Sequence, residues 1–260
     1  MIKTKINKNI DMYYMKKYLH RPYHNPSFEI ETNDIKFIES LCLQYGKYLS
    51  DNALNDVYKI DAANISLYNI DEILFNMTTY DENILPIHGA AVEYNGYVYI
   101  FLAPTTTGKT TLVTYLINNS FGYVTEDCVL LDKQTFKVYP YTCPIHLRAG
   151  GYEVLKRYGI HIAVTAFGEP ADIKYVYTPD NCVTEQLPLG RIYFIERSET
   201  ENRVVEMNTA ENMIELMKST MTPQQPSSEY VRLIAKLAKI GSKRLIYCDM
   251  EYVRDILLGE

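Results

Sequence analysis

The 260 residues are 47% hydrophobic and 22% charged, with a net charge of −6. That composition belongs to a globular chain with one sizeable core, and its negative balance gives no support for bulk electrostatic binding to nucleic acid. No run approaches the roughly eighteen apolar residues of a membrane helix, and MIKTKINKNIDMYYMKK at the start lacks the apolar core of a secretory signal. The five cysteines, Cys42, Cys128, Cys143, Cys182 and Cys248, form no C-x-x-C pair. They predict reduced thiols in a cytoplasmic protein, with neither a disulfide framework nor a zinc site, and no nucleic-acid or membrane partner is expected.

In chain order, Asn25-Pro26 and Asn33-Asp34 break an N-terminal stretch whose tyrosines Tyr13, Tyr14, Tyr18 and Tyr23 read as packing or partner surface. Ile35, Ile38, Leu41 and Cys42 are spaced as one face of an amphipathic helix over 34–48. Strands are expected at 57–60 and 65–68, and a helix at 71–77 capped by Asp71. Ala90 to Tyr94 alternates and ends on Asn95-Gly96, the signal of a two-residue type I′ hairpin. The returning Tyr97-Val-Tyr-Ile-Phe-Leu102 reads as a buried strand. Leu112, Val113, Leu116 and Ile117 predict a helix over 110–118, and short strands follow at 123–125 and 129–131.

Farther on, a helix is expected after Arg148-Ala-Gly-Gly as far as Tyr158. Residues 165–190 read as a long loop with one strand, 173–177, and 191–195 as a central strand. A helix over 209–218 should turn Met213, Ile214 and Met217 inward; 222–228 reads as a linker. Helix 229–239, strand 244–248 and helix 251–258 complete the order. The expected fold class is α/β: a P-loop domain over 85–260 preceded by a small N-terminal α/β extension over 1–84.

The chemistry concentrates around Ala103-Pro-Thr-Thr-Thr-Gly108-Lys109-Thr110, which follows the phosphate-loop pattern G-x-x-x-x-G-K-[ST] with Ala at the first Gly. Such a loop works because backbone N–H groups and a helix N-terminus converge on anionic oxygens. Some G-K-[ST] arises by chance in roughly one chain in ten of this length. The context decides here, because a buried strand leads in and a helix leads out. Thr105, Thr106, Thr107, Gly108, Lys109, Thr110 and Thr111 are therefore assigned to a nucleotide. Lys109 would reach the β- and γ-phosphates of ATP and the Thr110 hydroxyl would ligate Mg²⁺. Pro104 stiffens the bend that Ala103 opens.

Downstream, Glu126-Asp127 ends the strand after the loop helix, where phosphoryl transfer needs a metal-holding carboxylate and a group for the nucleophile. Neighbours on a strand point to opposite faces, so one of the two should aim at the γ-phosphate. His88 gains a role only if the hairpin brings it beside Asp127, where it would tune that carboxylate.

With His88-Gly89, Thr107-Gly-Lys-Thr110, Glu126-Asp127 and His146-Leu-Arg148-Ala-Gly150 in this order, the chain resembles the catalytic domain of HPr kinase/phosphorylase over about residues 85–150. The resemblance implies a fold related to phosphoenolpyruvate carboxykinase, with the P-loop in a mixed sheet. It implies Asp127 as catalytic base with His88 as its neighbour, Glu126 as metal ligand, and Arg148 steadying the transferring phosphoryl group. His146 stands where the family has Glu. Ala103, Glu126 and His146 depart from the family, and the chain is more similar to the dispersed HPr-kinase-like proteins of bacterial peptide-maturation gene clusters. What this implies is an ATP- and Mg²⁺-dependent kinase acting on a serine hydroxyl of a peptide or protein. The family is often oligomeric, which leaves a homo-oligomer open. The alternatives are a small-molecule hydroxyl kinase and a nucleotide-binding sensor or scaffold that transfers nothing.

Overall fold

A computed structural model describes residues 15–19, 27–53, 57–61, 81–167, 173–221 and 227–260. The chain divides into two compact units, one of Met1–His20 with Asn25–Leu74 and one of Arg21–His24 with Phe75–Glu260. The expected strand at 65–68 and helix at 71–77 lie outside the described residues, as does most of the 222–228 linker.

In the first unit, β1 (Met15–Leu19), β2 (Ser27–Thr32), β3 (Leu49–Ser50) and β4 (Val57–Asp61) form a sheet in the order β3-β1-β2-β4. Helix α1 (Ile35–Tyr45) starts where Asp34 accepts from the backbone N–H groups of Lys36 and Phe37. Its buried face carries Phe37, Leu41, Gln44 and Tyr45, whereas Ile35 and Cys42 are exposed. The expected face was thus rotated, because the aromatic pair at i and i+8 has more area to bury than the aliphatic residues.

The second unit is built on β14 (Leu187–Arg197), flanked in parallel by β7 (Tyr97–Leu102) and β16 (Ser242–Tyr247). Beyond β7 lie β6 (Ala90–Tyr94) and β8 (Gly122–Thr125). On the other side of β14 lie β10 (Lys137–Tyr139), β9 (Cys128–Asp132) and β5 (Ile84–His88), while β15 (Arg203–Glu206) borders β16. Every pair in this sheet except β14–β7 and β14–β16 is antiparallel, so the sheet is mixed. Among the described residues there are six α-helices, and none is long and apolar enough to cross a membrane.

The sheet is covered on both faces, which is why its central strands are apolar throughout. Tyr99, Phe101, Tyr193 and Leu245 pack against α2 (Lys109–Ile117), α3 (Ala149–Arg157) and α6 (Met250–Leu258). Val98, Ile100, Leu102 and Ile192 pack against α4 (Thr209–Ser219) and α5 (Ser228–Ala238). The period of two along β7 assigns its odd and even residues to the two cores. Asn95 and Gly96 both adopt positive φ, 52° and 80°, the geometry of the expected type I′ hairpin.

Two expectations fail in this unit. In α4, Asn212 and Leu216 are buried and Met213 packs beside them, but Ile214 and Met217 face solvent. The Asn212 amide donates to the Ala238 carbonyl of α5 at 3.3 Å, and this bond fixes the helix's rotation. The stretch 165–190 is not a loop with one strand. Strands β12 (Thr165–Phe167) and β13 (Lys174–Tyr177) pair with each other, and β13 pairs with β11 (Ile145–Arg148), while β14 begins at Leu187. These strands are too short to show a period, and β14 starts through Pro188 ahead of a register shift between Leu189 and Arg191.

Candidate functional site

Two antiparallel strand pairs meet at one point beside the loop. β5 runs into β6 through Gly89, and β8 runs into β9 through Glu126-Asp127. β5 pairs with β9 up to His88 opposite Cys128, and β6 pairs with β8 from Ala91 opposite Thr125. Both chains of this ribbon therefore bend at the same level, and the Gly89 N–H donates to the Asp127 carbonyl across the bend at 3.1 Å. The bend lies against the end of β7. A Cβ on Gly89 would sit 2.5 Å from Leu102 Cδ2 and 3.1 Å from the Phe101 carbonyl, so any larger residue would have to displace Leu102 and the β7 backbone. This packing sets His88 and Asp127 beside the segment that follows Leu102.

That segment carries the phosphate-loop sequence pattern, Ala103 to Thr110. Pro104 opens a turn closed by Thr107, whose N–H and hydroxyl both donate to the Pro104 carbonyl, at 3.4 and 2.9 Å. Thr106 and Gly108 adopt positive φ, 72° and 100°, and Gly108 is the N-cap of α2. From Leu112 to Ile117 the helix is buried without interruption, which anchors the loop's outgoing end.

Lys109 is only 6% exposed. Its ammonium donates to the Ala103 carbonyl at 2.7 Å and the Pro104 carbonyl at 3.3 Å, and lies 3.2 Å from His88 Nε2. His88 Nδ1 lies 3.3 Å from Asp127 Oδ1. One tautomer satisfies both contacts, with Nδ1–H donating to Asp127 and Nε2 accepting from Lys109. His88 thus ties the loop lysine to the second acid of the pair. The Ala103 and Pro104 carbonyls were not foreseen as partners, since a backbone acceptor leaves no mark in residue type.

The electrostatics follow from this chain. Burial lowers the Lys109 pKa, and the Asp127 charge offsets part of that effect. The His88 hydrogen bond lowers the Asp127 pKa; desolvation opposes it, and the charges of His88 and Lys109 reinforce it. The Asp127 side chain is nonetheless 70% exposed, so the carboxylate is ionised and open to solvent.

The other assigned residues separate. Glu126 is buried, and its Oε1 accepts the His146 N–H at 3.0 Å, with His146 Nδ1 at 3.8 Å. The two acids therefore diverge as strand alternation requires, Asp127 toward His88 and Glu126 toward β11. Thr105 and Thr106 are exposed and Thr110 is half-buried in the first turn of α2. Thr111 supports α3, since a Cβ on Gly151 would come within 2.5 Å of its Oγ1. Arg148 is exposed at the end of β11 and makes no contact with Lys109 or Asp127.

Among the described residues no group of three His, Cys, Asp or Glu side chains could hold a metal alone. Magnesium at a nucleotide site needs no such cage, because it takes one or two carboxylates together with phosphate oxygens and water. The Thr110 hydroxyl fits that donor set. Glu126 fits it less well, with one oxygen committed to His146. The chain matches no protein-family model, and a comparison with curated proteins finds no match.

Proposed function

We propose that the chain is an ATP-dependent kinase that transfers the γ-phosphoryl group to a serine hydroxyl of a peptide or protein. One observation carries this reading: His88 links the exposed Asp127 carboxylate to the loop lysine, 3.3 Å on one side and 3.2 Å on the other. A loop that only held a nucleotide would not require an ionised acid oriented beside its lysine.

In the reaction, phosphates entering the loop draw Lys109 from the Ala103 and Pro104 carbonyls onto their own oxygens. Mg²⁺ bound with the nucleotide would neutralise charge on the β- and γ-oxygens. The serine oxygen attacks phosphorus in line, its proton passes to Asp127, the bond from phosphorus to the bridging oxygen breaks, and ADP leaves. A carboxylate of lowered pKa is a weak base, but the transition state is loose and demands little proton transfer before the oxygen–phosphorus bond forms. His88 holds Asp127 in place through Nδ1–H and so keeps the acceptor lone pair directed at the open side.

Incubation with γ-labelled ATP, Mg²⁺ and serine-containing peptides tests this. Label should appear on peptide, and Lys109→Ala should abolish both transfer and ATP binding. Tight ATP binding without transfer to any hydroxyl would leave a nucleotide sensor. Equal ATP affinity in wild type and Lys109→Ala would falsify the phosphate-loop assignment itself.

A further inference from the structure

The three-stranded sheet beside the loop contains an arrangement that the transfer chemistry does not use. Arg148 on β11 stands directly opposite Lys174 on β13. Among the described strands this is the only place where two cations face each other across a ladder. Their Cβ atoms stand about 5 Å apart, and like charges on directly opposed strand positions are destabilising. Neither side chain meets an acid among the described residues, although cations elsewhere in this unit do, as in Lys156–Glu153, Lys218–Glu215 and Arg244–Glu196. Alternation places His146, two residues before Arg148, on the same face. The first turn of α3, which Arg148 precedes, contains no acid and adds the positive end of its dipole.

The position of this face relative to the site gives it a use. The outer edge of β11 touches the acid pair, since the His146 N–H donates to Glu126 next to Asp127. Behind it, Gly151 brings α3 against Thr111 in the first turn of the loop helix. A peptide lying along β11 would pass the acid pair at His146 and the Arg148–Lys174 pair beyond it. Arg148 lies two residues beyond His146, about 7 Å farther along the strand.

We propose, resting on the kinase reading above, that the Arg148–Lys174 pair docks a carboxylate of the acceptor, an Asp or Glu of the same peptide as the serine. The acid relieves the repulsion that the sheet otherwise bears, so complementarity of charge selects an acidic acceptor from a chain whose own net charge of −6 would repel one. Lys174 is the specificity-determining member, because Arg148 also stands next to the helix that abuts the loop.

Binding can be read without turnover. A short fluorescent peptide with a serine flanked by aspartates, and its asparagine counterpart, are titrated by anisotropy against wild type, Lys174→Arg and Lys174→Glu. Wild type and Lys174→Arg should bind the aspartate peptide about two- to fivefold more tightly at low salt, with the preference shrinking at high salt. Lys174→Glu should remove that preference while ATP affinity stays as in wild type. Equal affinity for the two peptides, a preference that survives Lys174→Glu, or a loss of ATP binding in Lys174→Glu would each overturn the docking site. A preference for the aspartate peptide that disappears in Lys174→Glu, in a protein that transfers no label, would leave the docking face standing and remove the kinase.

Discussion

The parallel strands β7 and β14 carry an ionic cluster at each end, and the two are completed differently. At the amino end, the Glu260 carboxylate accepts from Tyr193 at 2.7 Å, Lys243 at 3.0 Å and Arg191 at 3.1 Å, and its side chain is only 17% exposed. Burial raises the Glu260 pKa, but those three donors outweigh it and hold the group below the usual carboxylate range. At the carboxyl end, Asp127 is mostly exposed with His88 beside it, and Lys109 leans on backbone carbonyls of its own loop. The Glu260 carboxylate already takes three donors and has little capacity left for a ligand. A cluster with an open carboxylate and a lysine on replaceable partners has that capacity, which is why the proposed reaction is assigned to the carboxyl end.

The comparison breaks first if Asp127 is dispensable. Asp127→Asn still accepts the His88 hydrogen bond but can no longer take a proton. Steady-state assays should show turnover lower by ~10²-fold or more, with ATP affinity unchanged. Turnover near that of wild type would move the base to Glu126 or another group and leave the His88–Asp127 contact structural.

At the opposite end the expected effect is on stability alone. Glu260→Gln keeps the size but loses the charge, leaving Arg191 and Lys243 under-satisfied. The cost should be about 1–2 kcal/mol in chemical denaturation, with transfer activity intact. The sign with pH follows from the depressed folded pKa. The stabilisation is complete above the unfolded glutamate value of about 4.3 and is lost as pH falls through the folded value. Wild type and Glu260→Gln should therefore converge in stability at acid pH. A constant gap from neutral to acid pH would show that packing, and not charge, accounts for the difference.

How much of this was legible beforehand depended on where the information lies. The hairpin at Asn95-Gly96, strand β7 and helix α2 were plain in the sequence, since local turn chemistry and period determine them. The His88–Asp127 contact was readable only as a condition, because it depends on two bends that the Gly89–Asp127 backbone bond holds together. The Glu260 cluster and the Arg148–Lys174 pair gave no signal at all. Each joins residues through strand register or helix docking, and neither leaves a spacing pattern along the chain. The face of α4 was misread for a related reason: hydrophobicity pointed to Ile214 and Met217, but a tertiary hydrogen bond from Asn212 decided the rotation.

The smallest expected effect is also the one that separates the two clusters by sign. If Lys109 serves a ligand, its buried ammonium costs stability while the nucleotide is away, which the lowered pKa already expresses. Between that lowered folded value and the unfolded value of about 10.4, the unfolded chain binds more protons, so wild-type stability should rise with pH across the window. Lys109→Met keeps the length of the side chain, removes the charge, and leaves the Ala103 and Pro104 carbonyls to water. Without nucleotide it should be more stable than wild type at neutral pH by about 1 kcal/mol, or roughly 2–4 °C in Tm, and should lack the alkaline rise. Adding ATP and Mg²⁺ should reverse the order, because only wild type gains stability from binding. A Lys109→Met protein less stable than wild type, by as much as Glu260→Gln, would make Lys109 a structural group like Arg191 and erase the distinction between the two ends.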